Sequence, residues 1–254
     1  MNLIKIYKIE LLKAFKKPIT ATLLIPLILP LFYALSMITD ASFLEFEGGF
    51  NVLLLSNIMW SMLQILGLAH VLFALYVAYN FANELEGGQI KGLLVRGCSR
   101  TKLLMSKVLV QLTFLIGTYI GFYLFSFAIF AFSYQIENQF ESIGIVNGDL
   151  LDMLLADMIY LSGISIIMMI VLCAGLYKRP LSSFLIGVSL HFISLLLQFL
   201  PVAKYLSPNY VADQVSTSIN FSSMMGVVML MLYVILAVIP MIVATNKFNK
   251  MDIS

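Results

Sequence analysis

The chain has 254 residues, of which 61% are hydrophobic and 11% are charged, and its mean hydropathy is +0.99. A soluble domain carries about a quarter charged residues, so the composition excludes an ordinary soluble domain. With a formal net charge of only +2 we expect no nucleic-acid partner. The two cysteines, Cys98 and Cys173, are too few and too far apart for a disulfide framework or a metal site.

The first element is a basic, amphipathic segment over residues 1–18. Its apolar residues recur at helical spacing, and its lysines lie between them. The apolar set is Leu3, Ile4, Tyr7, Leu11, Leu12 and Phe15. This pattern predicts a helix that lies in the membrane interface, with its apolar face toward the acyl chains and its lysines toward anionic lipid. Pro18 is expected to end it.

Apolar runs long enough to cross the ~30 Å hydrocarbon core follow along the whole chain. They are residues 19–39, 58–81, 103–134, 158–177, 181–200 and 224–244. Each must be helical, because a bilayer offers no water to unpaired backbone groups. We therefore predict an all-α membrane protein with six transmembrane helices and a single transmembrane domain over 1–254. The domain divides into the interfacial helix at 1–18, the first two spans within 19–82, a connecting segment at 83–100 and the remaining spans within 101–254.

The charges between the spans indicate their orientation. All basic residues except Lys204 lie before the first span, between the second and third, between the fourth and fifth, or after the sixth. The opposite loops hold Asp40, Glu45, Glu47, Glu137, Glu141, Asp149, Asp152 and Asp157. By the positive-inside rule, both termini are then cytoplasmic, which requires an even number of spans. The loop at 135–157 is read as an acidic, solvated outer loop, and no charged residue is expected in the middle of a span.

The connection between the second and third spans is the most informative stretch. Two carboxylates, Glu84 and Glu86, are followed by a glycine pair that permits a sharp turn, and a short apolar helix ends at Gly97. The pattern is Glu84-x-Glu86-x-Gly88-x-Ile90-x-x-Leu93-Leu94-x-x-Gly97-x-Ser99-Arg100, followed by Lys107. A short helix held between two long ones is suited to receive force from a soluble partner and pass it to both.

This motif resembles the coupling segment of ABC-2-type ABC transporter permeases, and small bacterial permeases for peptide, bacteriocin or toxin export or immunity are similar. The motif covers residues 83–107, and the architecture is similar over the whole chain. The resemblance implies coupling to an ATPase subunit through eight residues: Glu84, Glu86, Gly88, Gln89, Ile90, Leu93, Leu94 and Arg100. It also implies a second permease subunit, as a homodimer or heterodimer, in the bacterial cell membrane.

The chain itself has no Gly-x-x-x-x-Gly-Lys-[Ser/Thr] phosphate loop. We therefore expect no catalytic residue, no metal and no cofactor bound by this chain, and we expect ATP and Mg²⁺ to be held by the partner ATPase. An intramembrane enzyme is disfavoured, since the two histidines have no acidic partner in mid-span. A non-catalytic membrane sensor or assembly protein with the same topology stays open.

Polar residues inside spans are costly and are candidates for function. The candidates for a translocation path are Gln64, His70, Gln111, His191 and Gln198. The alternative is interhelical hydrogen bonding, worth about 0.6 kcal/mol on average. Gly117 and Gly121 form a Gly-x-x-x-Gly pattern that predicts a face for close helix packing. Family analogy, with an aromatic- and Met-rich composition, favours export of amphipathic, antimicrobial or toxin peptides; drugs and lipid-linked molecules are the alternative.

Overall fold

The protein is described here by a computed structural model that covers residues 2–38, 52–95, 98–137, 150–217 and 222–251. Every regular element in these ranges is helical, which confirms the predicted all-α class. The α-helices, numbered in chain order, are α1 (Leu3–Phe15), α2 (Ile28–Ile38), α3 (Val52–Ile65), α4 (Leu68–Val77), α5 (Asn83–Glu86), α6 (Gln89–Val95), α7 (Arg100–Glu137), α8 (Leu150–Gly175), α9 (Pro180–Leu197), α10 (Pro208–Thr217) and α11 (Ser223–Lys250). Two 3₁₀ segments, Pro18–Leu27 and Ala203–Leu206, and a π-helical turn, Ala78–Ala82, connect them.

Within the described residues, five helical stretches are long and apolar enough to cross a bilayer. They are Pro18–Ser36, Arg100–Phe132, Leu150–Gly175, Pro180–Leu197 and Ser223–Lys250. A further pair, Val52–Ile65 and Leu68–Glu86, passes the same test together but is bent by 63° at a short break. Counted as one span, this pair gives the six crossings that the hydropathy pattern predicts.

The second predicted span therefore differs from the uninterrupted helix expected over residues 58–81. It begins earlier, at Val52, and breaks at Gly67, which has a left-handed φ of 72°. A Cβ atom on Gly67 would lie 2.1 Å from Nε2 of His191 on α9, so only glycine fits this position. Hydropathy patterns do not detect such a break, because the residues on both sides of it are equally apolar.

The N-terminal helix is present as predicted, and it also has a side that packs against the protein. Ile6, Glu10 and Ala14 are the buried residues of α1, which packs against α7. Leu12 and Phe15, of the apolar set predicted to face the acyl chains, are more than 60% exposed. The exposed apolar residues remain available to lipid, while the buried side holds α1 against the bundle.

Helix α8 is the central helix of the fold and contacts α4, α9, α10 and α11. It begins at Leu150, so Asp152 and Asp157 belong to the helix and not to the predicted outer loop. Asp157 is 2% exposed, which corrects the expectation that no charged residue lies within a span. The hydropathy pattern places the start of this span at residue 158, because a carboxylate such as that of Asp157 normally indicates a loop. The predicted loop acids Asp40, Glu45, Glu47, Glu141 and Asp149 lie outside the described residues.

Regions that carry basic residues meet at one end of the bundle. Lys13 and Lys17 reach Glu84, Arg179 approaches Glu86, and Arg100 contacts the last turn of α11. This end, with α1, α5, α6 and the C-terminal turn of α11, is called the basic end below. It is the side that the charge pattern predicts to be cytoplasmic.

Candidate functional site

The basic end contains a group of five charged side chains, three of them buried, named the ion cluster here: Glu10, Lys13, Lys17, Glu84 and Lys107. Glu84 accepts hydrogen bonds from Lys17 at 2.5 Å and from Lys107, and its carboxylate lies 2.7 Å from the Lys13 amine. Lys107 also donates to Glu10 at 2.5 Å. The cluster thereby joins α1, α5 and the first turns of α7.

The burial of this cluster determines its energetic role. The side chains of Glu84, Glu10 and Lys107 are 4%, 5% and 7% exposed. Charges this deeply buried are stable only with close partners, and removing one partner of a buried pair typically costs about 3–5 kcal/mol. The ion cluster therefore fixes where the second and third spans sit relative to the N-terminal helix.

Lys17 lies at the edge of the cluster, immediately before the first span. Burial lowers the pKa of its amine below the usual lysine value, while the hydrogen bond and the charge of Glu84 oppose that shift. Lys13 and Lys107 also lower the pKa of Lys17 through like-charge repulsion. The cluster holds three lysines against two carboxylates, so its net charge is positive, and Glu84 is the shared counter-ion.

The short helix predicted after the glycine pair is α6. Gly88 has a φ of 69°, which allows the sharp turn between α5 and α6. Ile90 is fully buried and Leu94 packs partly against the core, whereas Gln89 is exposed. The side chain of Leu93 and the predicted helix end at Gly97 lie outside the described residues. Helix α6 thus has a buried side that anchors it and an exposed side available to a partner.

The two carboxylates that precede this turn have different surroundings. Glu84 lies inside the ion cluster, but Glu86 is 53% exposed and its Oε1 lies 3.9 Å from the Nε atom of Arg179. Arg179 is itself 86% exposed, so this pair contributes little stability. Of the two acids, Glu86 is the one on the accessible surface.

Arg100 lies at the start of α7, as the motif predicts, but its contacts with α11 were not predicted. Its guanidinium donates to the backbone carbonyls of Phe248, Asn249 and Met251, at 3.2, 3.0 and 2.5 Å. These acceptors belong to the C-terminal turn of α11 and the residue after it, where helical carbonyls lack partners and a cation is favourable. Arg100 therefore joins the start of the third span to the end of the last one.

The polar residues predicted for a translocation path fall into separate places. Gln64 lies in the last turn of α3, just before the break in the second span, and His70 lies in the first turn of α4, just after it. The imidazole rings of His70 and His191 stack with centroids 4.4 Å apart. Gln198 lies toward the end of α9 and donates to Ser207 at 3.3 Å. Gln111 lies apart from them and lines a cavity of 20 Å³ beside Glu84 and Lys107.

The group at the break, named the break cluster, contains Gln64, His70, His191 and Asn209. The carbonyl of Gln64 accepts from the backbone N–H of Gly67 at 3.0 Å, and the Asn209 side chain donates to the same oxygen at 3.3 Å, which ties α10 to the end of α3. Among the described residues, the amide atoms of Gln64, Nδ1 of His70 and both nitrogens of His191 have no hydrogen-bond partner. Buried polar atoms are normally paired, so this group is a candidate for function.

Asp157 forms a third polar group, which the sequence did not reveal. Its carboxylate accepts hydrogen bonds from Tyr119 at 2.8 Å and Tyr123 at 2.7 Å, and Asn57 donates at 3.3 Å. Within the described ranges Asp157 has no ion-pair partner, so hydrogen bonds alone compensate its burial. This group connects α3, α7 and α8.

Two of the important residues escaped the sequence interpretation for different reasons. Glu10 is the single acid among five lysines of the N-terminal segment, and that isolation was the available signal. Asp157 lies within a run of apolar residues: Leu154 and Leu155 precede it, and Met158 and Ile159 follow it. Extending the span backward through that run would have placed Asp157 inside it.

A comparison with protein families gives a match over most of these features. The family described as ABC-2 family transporter protein matches residues 6–194. The matched range includes the ion cluster, α5 and α6, the break, Asp157 and His191. No curated protein sequence matches the chain significantly. Because the family match spans well over half of the 254 residues, the chain belongs to the ABC-2 family of transporter proteins and is a permease subunit of an ABC transporter.

Proposed function

We propose that the chain is the membrane half of an ATP-driven exporter in the bacterial cell membrane, with its basic end and both termini in the cytoplasm. A separate ATPase subunit holds ATP and Mg²⁺ and docks on α6. A second permease subunit, identical or homologous, completes the transport path. This chain performs no catalysis by itself, because its sequence offers no phosphate loop.

One observation carries this proposal: a short helix with an accessible side is joined to a buried ion cluster that holds three other elements. Gln89 is exposed on α6, Glu86 is exposed at the end of the preceding α5, and the buried Ile90 anchors α6 to the bundle. A docking partner that moves α6 must move α5, because only the turn at Gly87 and Gly88 separates them. The segment therefore has the construction of a coupling helix.

The path of the movement follows from the contacts of Glu84. Because Glu84 is tied to Lys13, Lys17 and Lys107, displacement of α5 pulls on α1 and α7 together. In the other direction the chain continues without interruption through the π turn into α4. ATP binding by the partner would thus shift the inner half of the second span together with the N-terminal helix and the third span. This is how a docked ATPase would bias the bundle between inward- and outward-facing states.

For the substrate we propose amphipathic peptides of the antimicrobial or toxin type. The break cluster supports a transport path near the middle of the second span, since it places unpaired polar groups among apolar helices. Drugs and lipid-linked molecules are the alternative cargo. A non-catalytic sensor or assembly protein is the alternative function, and it would need no ATPase.

The docking proposal is tested by site-specific photo-crosslinking in the native membrane. The full chain carries benzoyl-phenylalanine at Gln89, and the matched control carries it at Ser216, an exposed residue of α10 remote from the basic end. We expect an ATP-binding protein with a phosphate loop to be captured from position 89 and not from position 216, as identified by mass spectrometry. Capture of no such protein at 89, in membranes where the transporter is expressed, contradicts the proposal.

The substrate proposal is tested separately with the purified transporter complex in vesicles. A panel of cationic, anionic and neutral amphipathic peptides is added, and ATP hydrolysis is measured. We expect at least one peptide class to stimulate hydrolysis in a saturable way. If hydrolysis responds to drugs or lipid-linked molecules but to no peptide, the peptide assignment is wrong and the coupling assignment is unaffected.

A further inference from the structure

A large groove runs along the membrane-facing side of the bundle between the 3₁₀ segment Pro18–Leu27 and α7. Its volume is about 710 Å³, which makes it far larger than the 20 Å³ cavity beside the ion cluster. Leu23, Leu27 and Phe122 contribute apolar walls. The function proposed above makes no use of this groove.

The floor of the groove is formed by the two glycines that predict close helix packing. A Cβ atom on Gly117 or Gly121 would meet no atom within 4 Å, so this face packs against no other helix of the described chain. Small residues on a transmembrane helix allow a neighbour to approach the backbone closely. The groove is therefore an open, apolar channel with room for a slender occupant.

The end of the groove nearest the basic end is charged. Lys16 and Lys17 line it there, together with the polar side chain of Thr20. Lys16 is exposed, and Lys17 is shared with Glu84 of the ion cluster. An apolar channel that ends in two amines is complementary to an amphiphile with a long apolar chain and an anionic head.

We propose that this groove binds an acyl chain of an anionic phospholipid from the leaflet at the basic end, with the lipid phosphate between Lys16 and Lys17. A second copy of the chain is a poorer occupant. A twofold interface centred on the groove would bring the lysines of both copies together, and like charges at close range repel. A zwitterionic lipid would offer the same chain but less charge to the two amines.

The position of Lys17 connects the lipid to the coupling machinery. Its amine lies 2.5 Å from Oε1 of Glu84, so a phosphate at Lys17 competes with a member of the ion cluster. Lipid in the groove would thereby weaken the ion pair of Lys17 with Glu84, and Glu84 would keep its ion pairs with Lys13 and Lys107. Lipid binding in the groove and the position of α5 are therefore linked through the side chain of Lys17.

The test uses the full chain reconstituted in lipid nanodiscs that contain a photoactivatable phospholipid with the label on its acyl chain. Phosphatidylglycerol and phosphatidylcholine carry the same label in parallel samples. We expect phosphatidylglycerol to label residues 18–27 and 113–122 preferentially over phosphatidylcholine. Replacing Lys16 by Gln should lower that preference by about fivefold, the effect of one lysine near a charged surface.

Two pairs of variants separate the groove from the general lipid surface. Gly117→Leu with Gly121→Leu fills the open space and should abolish labelling of both segments, while Ala128→Leu, on the same helix outside the groove, should not. Lys8→Gln, an exposed lysine of α1 away from the groove, is the control for Lys16→Gln. The leucines enter open space and a helical site, so these variants are expected to fold.

Three results would overturn the proposal. Equal labelling by both lipids shows an ordinary lipid-facing surface. Labelling that survives the double leucine variant places the lipid elsewhere. Spontaneous disulfide formation between two Gly117→Cys chains, with loss of lipid labelling, assigns the groove to a second copy. Each result is independent of whether an ATPase is captured at Gln89, so the coupling proposal can fail or stand separately.

Discussion

Glu84 has an unusual load for one carboxylate, since three lysines from two helices share it. With 3% of its surface exposed, it receives little help from water. The lysines have few other partners, because Glu10 is the only other acid in the cluster and contacts Lys107 alone. Glu84 therefore has no substitute within the ion cluster.

Replacing Glu84 by Gln should destabilise the protein by about 3–5 kcal/mol, because it removes the counter-charge of Lys13 and Lys17 and leaves the buried Lys107 with Glu10 alone. The measurement is the midpoint of unfolding in mixed detergent micelles. The matched control is Glu86→Gln, two residues along the same helix. That variant loses only a contact of 3.9 Å between exposed groups, and it should cost less than about 1 kcal/mol. Equal losses in the two variants would mean that the ion cluster does not hold the helices together.

The substitution of Asp157 has a different expected outcome from that of Glu84. Asp157→Asn keeps an acceptor for Tyr119 and Tyr123 and removes a buried charge that has no ionic partner among the described residues. We expect the unfolding midpoint of Asp157→Asn to stay close to that of the parent. Asp157→Leu leaves the donors unpaired and should cost about 1–3 kcal/mol for each buried donor that finds no water. A loss for Asn as large as the loss for Leu would show that the negative charge itself is required.

At the residue scale, the sequence often predicted one residue of an interacting pair but not its partner. The coupling motif included Glu84 and Lys107 but not Glu10, since no local pattern states that the acid of α1 will meet a lysine of α7. That pairing depends on the packing of α1 on α7, which sets Ile6, Glu10 and Ala14 inward. Arg100 was likewise found, but its partners on α11 are almost 150 residues away.

At the scale of elements, the break in the second span is the main departure from the predicted helices. Gly67 combines a positive φ with a neighbour that leaves no space for a Cβ atom. Gly88 has nearly the same φ, 69°, but open space around it. Substituting each glycine therefore distinguishes two destabilising effects: the unfavourable backbone conformation, present at both positions, and the steric overlap, present only at Gly67.

Gly88→Ala should lose only the conformational cost of a left-handed residue, about 1–2 kcal/mol. Gly67→Ala should lose that and a further ~1–3 kcal/mol from overpacking against His191. Unfolding in mixed micelles gives both values. Adding His191→Ala to Gly67→Ala should recover part of the extra loss, whereas an unchanged midpoint would place the strain elsewhere.

Most helices were predictable as elements because apolar runs of bilayer length have few other uses. The residues at which these helices begin and end were harder to predict. The helices of the third and fourth spans extend beyond the predicted runs, and α8 begins at Leu150 because the apolar pattern continues on both sides of Asp157, whose carboxylate is hydrogen-bonded. The break and the buried side of α1 depend on long-range contacts that no window of sequence contains.

At the scale of the whole molecule, the charge pattern and the contacts agree on which ends lie together. The segments with Lys13, Glu84, Arg179 and the end of α11 converge on one end, as the loop charges predict. The absolute orientation rests on the positive-inside rule. It also fits an ATPase that docks from the cytoplasm.

Orientation can be measured with single cysteines in a background without Cys98 and Cys173. Gln89→Cys and Lys178→Cys, both at the basic end, should react with a membrane-impermeant maleimide only after the cells are opened. Ser216→Cys on α10, at the opposite end, should react in intact cells. The reverse pattern would invert the topology and remove α6 from the reach of a cytoplasmic ATPase.

The family and the coupling segment were accessible from sequence at this scale because they depend on a local motif and on composition. The substrate was not, because its binding depends on which helices surround the path and on a second subunit. Gln64, His70 and His191 illustrate the limit. The helical spacing of Gln64 and His70 predicts that they point apart, but it does not predict that the packing of α9 on α4 stacks His191 on His70.

The interruption at Gly67 gives the two halves of the second span different neighbours. The half before it packs on α7 and shares Asp157 through Asn57, while the half after it packs on α8, α9 and the 3₁₀ segment. Under the coupling that we propose, the half joined to α5 would move with the nucleotide cycle, while the half packed on α7 would stay in place on the far side of the bundle. The two ends of the transport path would then open one at a time.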